Sequence, residues 1–273
     1  MSTASFGLPR PNLLLLQGEA WRPPAFEAPR SAFARCRAWA RRLLDLQAAS
    51  IWRDMRVLLP QLRGEVLDVG CGAQPYRAFF APGTHCQGID HASAGAAFGY
   101  QESDVRYYTG DVWPVESASV DAVLSTETLE HVPRPAGFLA EAARCLKPGG
   151  RLILTVPFAA RWHYIPHDYY RFTPSSLQDL LSQAGFEDMA VYARGNGLTV
   201  ACYKTLSLIY PLLFPQTRSL LVRAGLLPFG LLLSPLVAML AGIAQLSLRG
   251  RGGDDCLGYT VLARRTGGGG SPC

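Results

Sequence analysis

The chain has 273 residues, of which 49% are hydrophobic and 17% charged, and a formal net charge of +5. This length and hydrophobic content allow a sizeable buried core and exclude a mainly disordered protein. Arginine carries nearly all of the positive charge, but no groove-reading element accompanies it, so we predict no nucleic-acid partner. The seven cysteines are widely spaced without a CxxC pair. This spacing predicts reduced thiols in a cytoplasmic protein and no metal site or disulfide framework.

The N-terminal part divides into two segments. Residues 1–30 are rich in proline and lack periodicity, which predicts a mobile arm. Residues 31–62 are predicted to be helical, with Ser31 as the N-cap. The apolar side chains fall near one face of this helix, namely Phe33, Cys36, Trp39, Leu43 and Leu44. Two interpretations are open, an amphipathic helix lying on the core and a basic helix lying on an anionic membrane surface.

Residues 63–197 alternate between apolar strands and amphipathic helices. The predicted strands are 65–69, 86–90, 105–110, 120–125, 151–157 and 189–195, and the predicted helices are 134–146 and 173–186. Thr173 is the expected N-cap of the second helix and Gly185 its left-handed terminator. A further strand is predicted at 258–265, within a last core segment at 256–266. The pattern predicts an α/β fold with a doubly wound, seven-stranded, mostly parallel sheet.

A strongly apolar insert, residues 198–255, interrupts this pattern before the last strand. Within it, residues 226–246 contain no charge and are long enough to span a bilayer. Both ends of the insert return to one sheet, so it must cross a membrane twice, dip in and return, or stay outside. The alternatives are buried helices that form a lid or dimer face, and a membrane-docking hairpin with flanking arginines. The tail, 267–273, is predicted to be flexible.

The stretch "VLDVGCGAQPY" at 66–76 reads as a buried strand running into a glycine turn. Gly70 and Gly72 lack side chains, which lets a ligand approach the backbone. A dinucleotide fingerprint would need glycine where Pro75 stands, and no P-loop lysine follows. Asp68 would repel a phosphate, so its carboxylate favours a cationic ligand.

Two more aspartates follow the next predicted strands. Asp90 ends the second strand, at a spacing that suits a carboxylate accepting the hydroxyls of a ribose. Asp111 follows the third strand, where it can meet an adenine edge. Parallel sheets bind ligands at the carboxyl ends of their strands, so Asp68, Asp90 and Asp111 together predict an adenosine-containing ligand.

The motifs "EVLDVGCG", "GID", "GDVWP", "SVDAVLSTETLEHV" and "LKPGGRLILTVP" resemble, in order and spacing, those of class I S-adenosylmethionine-dependent methyltransferases. With the later "HDYYRFTPSSLQDLLSQAGF", the chain resembles the bacterial methyltransferases of type 11. The resemblance implies a Rossmann-like methyltransferase fold and S-adenosylmethionine as cofactor. It departs from the family pattern at Gln74, where a third glycine is usual. Carried over by position, it implies cofactor contacts at Asp68, Gly70 and Gly72 (methionine end), Asp90 (ribose), Asp111 and Val112 (adenine), and Ser125 (beside the sulfonium).

Methyl transfer from a sulfonium is an in-line displacement, and an oxygen nucleophile also needs a proton acceptor. The segment "RWHYIPHDYYRF" follows the fifth strand on the same sheet edge as the glycine turn. The candidate catalytic side chains are His131, His163, His167, Asp168 and Tyr169. Arg171 is expected to anchor this segment by pairing with a carboxylate.

The sequence thus predicts a methyltransferase acting on an oxygen or carbon of a small acceptor that is apolar or lipid-linked. Peripheral contact with the inner face of the membrane is expected through 198–255. Two alternatives stay open, a membrane-attached binding protein without turnover and a soluble methyltransferase of a polar metabolite or sugar. An NAD-dependent oxidoreductase is disfavoured by Pro75.

Overall fold

A computed structural model of the chain describes residues 13–15, 31–94, 102–213 and 219–267. The arm predicted at 1–30 lies outside these ranges except for a short 3-10 turn at Leu13–Leu15. The tail beyond residue 267 lies outside them as well.

Seven strands form one sheet in the order β3-β2-β1-β4-β5-β7-β6. They are β1 (Glu65–Val69), β2 (His85–His91), β3 (Val105–Tyr108), β4 (Val120–Thr126), β5 (Leu146–Pro157), β6 (Phe186–Arg194) and β7 (Gly258–Arg265). β1 to β5 are parallel, and β7 runs antiparallel between β5 and β6. The predicted fold class is therefore confirmed. The sheet brings the carboxyl ends of β1, β2, β4 and β5 to one edge.

Two helices, α3 (Pro135–Cys145) and α4 (Pro174–Gln183), cover the sheet with buried apolar side chains. A capping box between Thr173 and Ser176 starts α4, and Gly185 follows it with a φ of +84°. Both agree with the predicted cap and terminator. β5 begins five residues earlier than predicted, because its register against β4 shifts between Val120 and Ala122 and lets Leu146 pair.

The predicted N-terminal helix is two helices, α1 (Ala32–Leu44) and α2 (Leu46–Leu58). Ser31 caps α1 as predicted and accepts a hydrogen bond from the Ala34 amide at 3.1 Å. Asp45 separates the helices, because its carboxylate caps α2 at the Ala48 amide, 3.1 Å away. α2 buries four side chains, whereas α1 buries none. The interpretation of residues 31–62 as a helix lying on the core therefore holds for α2, whereas the predicted apolar face of α1 is exposed except at Leu44.

The insert forms three helices, α5 (Gly197–Leu213), α6 (Leu220–Leu232) and α7 (Ser234–Ser247). α5 and α7 share a buried cluster with Leu46 of α2. Within the described ranges, no single helix is long and apolar enough to cross a membrane. α6 and α7 together pass that test by length and composition, with a bend of 58° at their break.

Candidate active site

The glycine turn follows β1. Gly70 and Gly72 have φ values of +66° and +54°. A Cβ on Gly70 would lie 2.4 Å from the Thr128 side chain, so the turn packs closely against the segment after β4. Gln74 stands where the family has glycine, and its φ of +49° is also left-handed. The substitution thus keeps a backbone conformation that glycine favours.

Asp68 and Asp90 are buried side by side at the ends of β1 and β2. Asp90 accepts hydrogen bonds from the Gly72 amide at 3.1 Å and the His91 amide at 2.8 Å. Asp68 Oδ1 is buried and has no hydrogen-bond partner within the described part of the chain. Burial, reinforced by the neighbouring Asp90, raises the pKa of Asp68 to about 7. A buried carboxylate oxygen without a donor suits a cationic group, so the site fits the ammonium end of S-adenosylmethionine.

The other predicted cofactor residues differ in exposure. The side chain of Asp111 is 72% exposed and forms an ion pair with Arg134. Val112 is also exposed, so this pair lies on an open rim beyond β3. Ser125 is fully buried in β4, and among the described residues its hydroxyl has no hydrogen-bond partner.

His131 lies in a 3-10 turn, Leu129–His131, that follows β4. Its Nδ1 is 2.6 Å from the carbonyl oxygen of His167, so Nδ1 carries the proton and donates it. Nε2 lies 3.6 Å from Glu130 Oε1. Burial lowers the pKa of His131 to about 4, which keeps the ring neutral near pH 7. Nε2 therefore presents a lone pair, as a general base or a metal ligand must.

Glu130 is fully buried, and neither of its carboxylate oxygens has a hydrogen-bond partner in the ranges that the structure describes. Burial, with Glu127 nearby, raises its pKa well above the ordinary range. Glu130, His131 and His163 each offer a ligand atom, and these atoms lie within 4.8 Å of one another. The sequence predicted no metal site, but this group could hold a divalent ion.

The segment after β5 is fixed by Asp168. Its carboxylate accepts hydrogen bonds from Arg171 at 2.6 and 2.7 Å and from the His163 amide at 3.0 Å. The predicted anchoring of this segment by Arg171 is thereby confirmed. Burial alone would raise the pKa of Asp168, but the hydrogen bonds from Arg171 and His163 hold it below its ordinary value. Asp168 thus stays ionised and holds the loop in place.

Two other predicted residues of this segment meet the β4 turn through their backbone. His167 supplies its carbonyl to His131, while its side chain is exposed. The Tyr169 amide donates to the Glu130 carbonyl at 2.8 Å, and the Tyr169 ring is exposed. The structure therefore brings His131, His163 and Asp168 together as side chains and places those of His167 and Tyr169 outside that group.

A buried arginine, missed by the sequence analysis, supports the β4 turn. Arg194 ends β6 and lies 2.7 Å from a Glu127 carboxylate oxygen. It also donates to the Ser50 hydroxyl at 3.1 Å and the Val156 carbonyl at 3.0 Å. A Cβ on Gly258 would lie 2.3 Å from Arg194 Nη2. Gly258, the first residue of β7, is the sequence feature that indicates a bulky side chain crossing this strand.

The sequence profile of a family described as a methyltransferase domain matches residues 67–154. The ubiquinone biosynthesis O-methyltransferase of Cereibacter sphaeroides is 30% identical over 168 residues, which cover 51% of this chain and 67% of that protein. The chain belongs to the class I S-adenosylmethionine-dependent methyltransferases. The protein of the same name from Dinoroseobacter shibae is 29% identical over 170 residues. There the match covers 51% of this chain and 66% of the relative, slightly under two thirds of its length.

A solved structure of an S-adenosylmethionine-dependent methyltransferase from Archaeoglobus fulgidus is also similar to this chain. It has a TM-score of 0.49 and 16% sequence identity, and the match covers 81% of this chain and 95% of that one. The assignment of the methyltransferase fold rests on the strand order and on the single antiparallel strand β7.

Proposed function

We propose that this protein transfers the methyl group of S-adenosylmethionine to an oxygen or carbon of a small acceptor that is apolar or lipid-linked. The observation that carries the proposal is the cluster of Glu130, His131 and His163 beside the glycine turn. Thr128, two residues before Glu130, contacts Gly70. A proton acceptor thus lies next to the turn that is proposed to hold the cofactor, as transfer to oxygen requires.

The cofactor supplies a methyl group activated on a sulfonium. Asp68, with the backbone at Gly70 and Gly72, is proposed to bind its methionine end. Asp90 is proposed to hold the ribose, since the Gly72 and His91 amides orient its carboxylate. Asp111 and Val112 would border the adenine, and Ser125 would lie beneath the sulfonium. This arrangement suits a ligand with a cationic end and no phosphate.

The affinity for S-adenosylhomocysteine should rise with pH through neutrality. Asp68, whose pKa is about 7, must lose its proton to pair with the ligand ammonium. Asp90 raises this pKa and Arg77 lowers it. The dissociation constant should fall about tenfold between pH 6 and 8, because one proton is released on binding. Calorimetry at several pH values measures this, and Asp68→Asn should bind more weakly with no such dependence. An equal pH dependence in Asp68→Asn would contradict the assignment.

His131 is proposed as the group that activates an oxygen acceptor, because its neutral ring presents Nε2. His163 lies beside it, with ring centroids 5.0 Å apart. A divalent ion held by Glu130, His131 and His163 is a second means of activation, since it would polarise the acceptor oxygen. Both means depend on Nε2 of His131. His163, Asp168 and Arg171 would fix the position of the loop that faces the acceptor.

The apolar helices support an apolar acceptor. α5 packs beside Ala159 at the end of β5, and Lys204 of α5 donates to the Ala159 carbonyl. These helices therefore border the loop that carries His163. α6 and α7 expose large apolar side chains, among them Phe229, Leu232, Met239 and Leu246. We propose that residues 198–255 contact a membrane peripherally and deliver the acceptor from that side. The relatives named as ubiquinone biosynthesis O-methyltransferases are consistent with such an acceptor.

Turnover with a labelled methyl donor tests the proposed function. Labelled S-adenosylmethionine should transfer its methyl group to an alkyl-substituted catechol, which joins an acidic oxygen to an apolar body. A polar sugar or amino acid should accept far less label. Loss of transfer on chelation, restored by magnesium or manganese, would assign activation to an ion. Binding of S-adenosylhomocysteine without transfer to this acceptor or to a bacterial lipid extract would favour the binding protein without turnover.

A further inference from the structure

The apolar stripe of α1 points away from the protein. Phe33 is 78% exposed and Trp39 57% exposed. Cys36 and Leu43 lie on the same side and are exposed as well. The less exposed residues are Ala34, Ala38, Arg41 and Arg42, together with Leu44, which ends the helix and packs against the buried cluster of α5 and α7. When an amphipathic helix lies on a core, its apolar side faces inward. The apolar stripe of α1 faces outward, so another apolar surface is needed to cover it.

This orientation is fixed by contacts at the C-terminal end of the helix. Gln245 of α7 donates to the Arg42 carbonyl at 2.9 Å. The Tyr210 hydroxyl of α5 donates to the Leu44 carbonyl. The Arg42 guanidinium lies 4.1 Å from the centroid of the Trp52 ring in α2. α1 is thus attached to three neighbouring helices through its polar side and its last turn, which leaves the apolar stripe outside.

α7, which adjoins α1, also exposes an apolar stripe. Its members recur at helical spacing and are Leu236, Met239, Ile243 and Leu246. The opposite side of α7, with Val237, Ala241 and Ala244, is buried. The α7 stripe therefore faces outward although the helix is packed in place. Two adjoining helices present apolar residues that the described part of the chain leaves exposed.

The charges of α1 indicate what covers these stripes. The helix carries four arginines and no acidic residue. Arg35 and Arg37 are exposed and flank the apolar stripe, and within the described ranges neither forms an ion pair. Apolar residues on one side with arginines at its borders are the pattern of a helix that lies in the interface of an anionic bilayer.

We propose that α1 and the exposed face of α7 dock on an anionic lipid bilayer, with Phe33 and Trp39 inserted and Arg35 and Arg37 at the phosphates. This inference goes beyond the proposed methyl transfer, because it holds for any acceptor. It also adds α1, which lies outside the apolar insert, to the membrane contact proposed for 198–255. Anionic lipid should therefore be required for strong binding, which an apolar contact alone would not require.

Flotation of the full chain with lipid vesicles tests the proposal. The protein should float with vesicles of mixed phosphatidylglycerol and phosphatidylcholine and much less with phosphatidylcholine alone. Phe33→Glu with Trp39→Glu should abolish flotation. Arg35→Gln with Arg37→Gln should lower the partition coefficient on anionic vesicles about thirtyfold, the effect of two charges near such a surface. S-adenosylhomocysteine binding and the melting temperature should stay unchanged in both variants, since α1 buries no side chain.

Matched controls keep the result specific. Val57→Glu with Tyr192→Glu places the same charges at exposed apolar positions elsewhere. Arg56→Gln with Arg151→Gln removes two exposed arginines elsewhere. Both controls should float like the unmodified protein.

Unchanged flotation of Phe33→Glu with Trp39→Glu would overturn the proposal. The proposal would also be overturned if the unmodified full chain did not float with anionic vesicles. In that case a second copy or residues 1–30 would cover Phe33 and Trp39. Methyl transfer to a soluble catechol by the non-floating variant separates docking from the proposed chemistry.

Discussion

Replacing His131 by asparagine should lower the rate of methyl transfer to an oxygen acceptor by about 10²–10⁴, the usual contribution of a positioned base. The asparagine amide can take the place of Nδ1 and still donate to the His167 carbonyl, which His131 meets at 2.6 Å. It has no atom equivalent to Nε2, which both a base and a metal ligand require. The loop should therefore keep its position while the reacting nitrogen is lost. Single-turnover rates with labelled S-adenosylmethionine measure the effect.

His167→Ala is the matched control. His131 uses only the backbone carbonyl of residue 167, and the side chain of His167 is exposed. Transfer should therefore proceed at nearly the unmodified rate in this variant. Affinity for S-adenosylhomocysteine should be unchanged in both variants, because neither side chain touches the glycine turn. If methyl transfer were slow in His167→Ala and normal in His131→Asn, the general base would be His167 and not His131.

Replacing Arg194 by methionine should lower the free energy of unfolding by about 3 kcal/mol, the lower end of the range for breaking a buried ion pair. Methionine fills a similar volume but leaves the Glu127 carboxylate without its partner at 2.7 Å. The lower end applies because 26% of the Glu127 side-chain surface is exposed, so water can solvate its carboxylate. Urea denaturation of the purified protein measures the change.

The double variant Arg194→Met with Glu127→Gln should recover part of this loss, because the unpaired charge is then absent. Arg264→Met is the surface control. Its guanidinium lies 2.6 Å from Asp188 and 3.4 Å from Glu187, and all three side chains are substantially exposed to solvent. Loss of such a pair costs about 1 kcal/mol or less. If Arg194→Met is no more destabilised than Arg264→Met, the buried arginine does not support the β4 turn.

The order of elements in the core was predictable because each strand carries its own signal. β7 was predicted at 258–265 and has those bounds, since its apolar residues are flanked by glycines and charges. The glycine turn and Asp90 were placed correctly at the sheet edge for the same reason, because a strand end determines where the next residue lies. Local caps were also accurate, as Ser31, Thr173 and Gly185 each act within one turn.

Other features depend on individual side-chain contacts, some local and some between residues far apart in sequence, which periodicity does not record. The break at Asp45 follows from one carboxylate that caps α2 and pairs with Arg41. The outward stripe of α1 follows from where Gln245 and Tyr210 attach it. A single glutamate such as Glu130 reads like any polar residue after a strand. Its burial becomes visible once the segment that carries His163 folds over it.

Gly258 has a consequence for the order in which the protein assembles during synthesis. Arg194 crosses β7 where Gly258 leaves room for it, and β6 lies at the edge of the sheet with β7 as its neighbour. The ribosome makes β6 and the three apolar helices before it makes β7. Until that last strand emerges, β6 has no place in the sheet and Arg194 lacks its final surroundings. A nascent chain would therefore expose the three apolar helices before β7 can complete the sheet around Arg194.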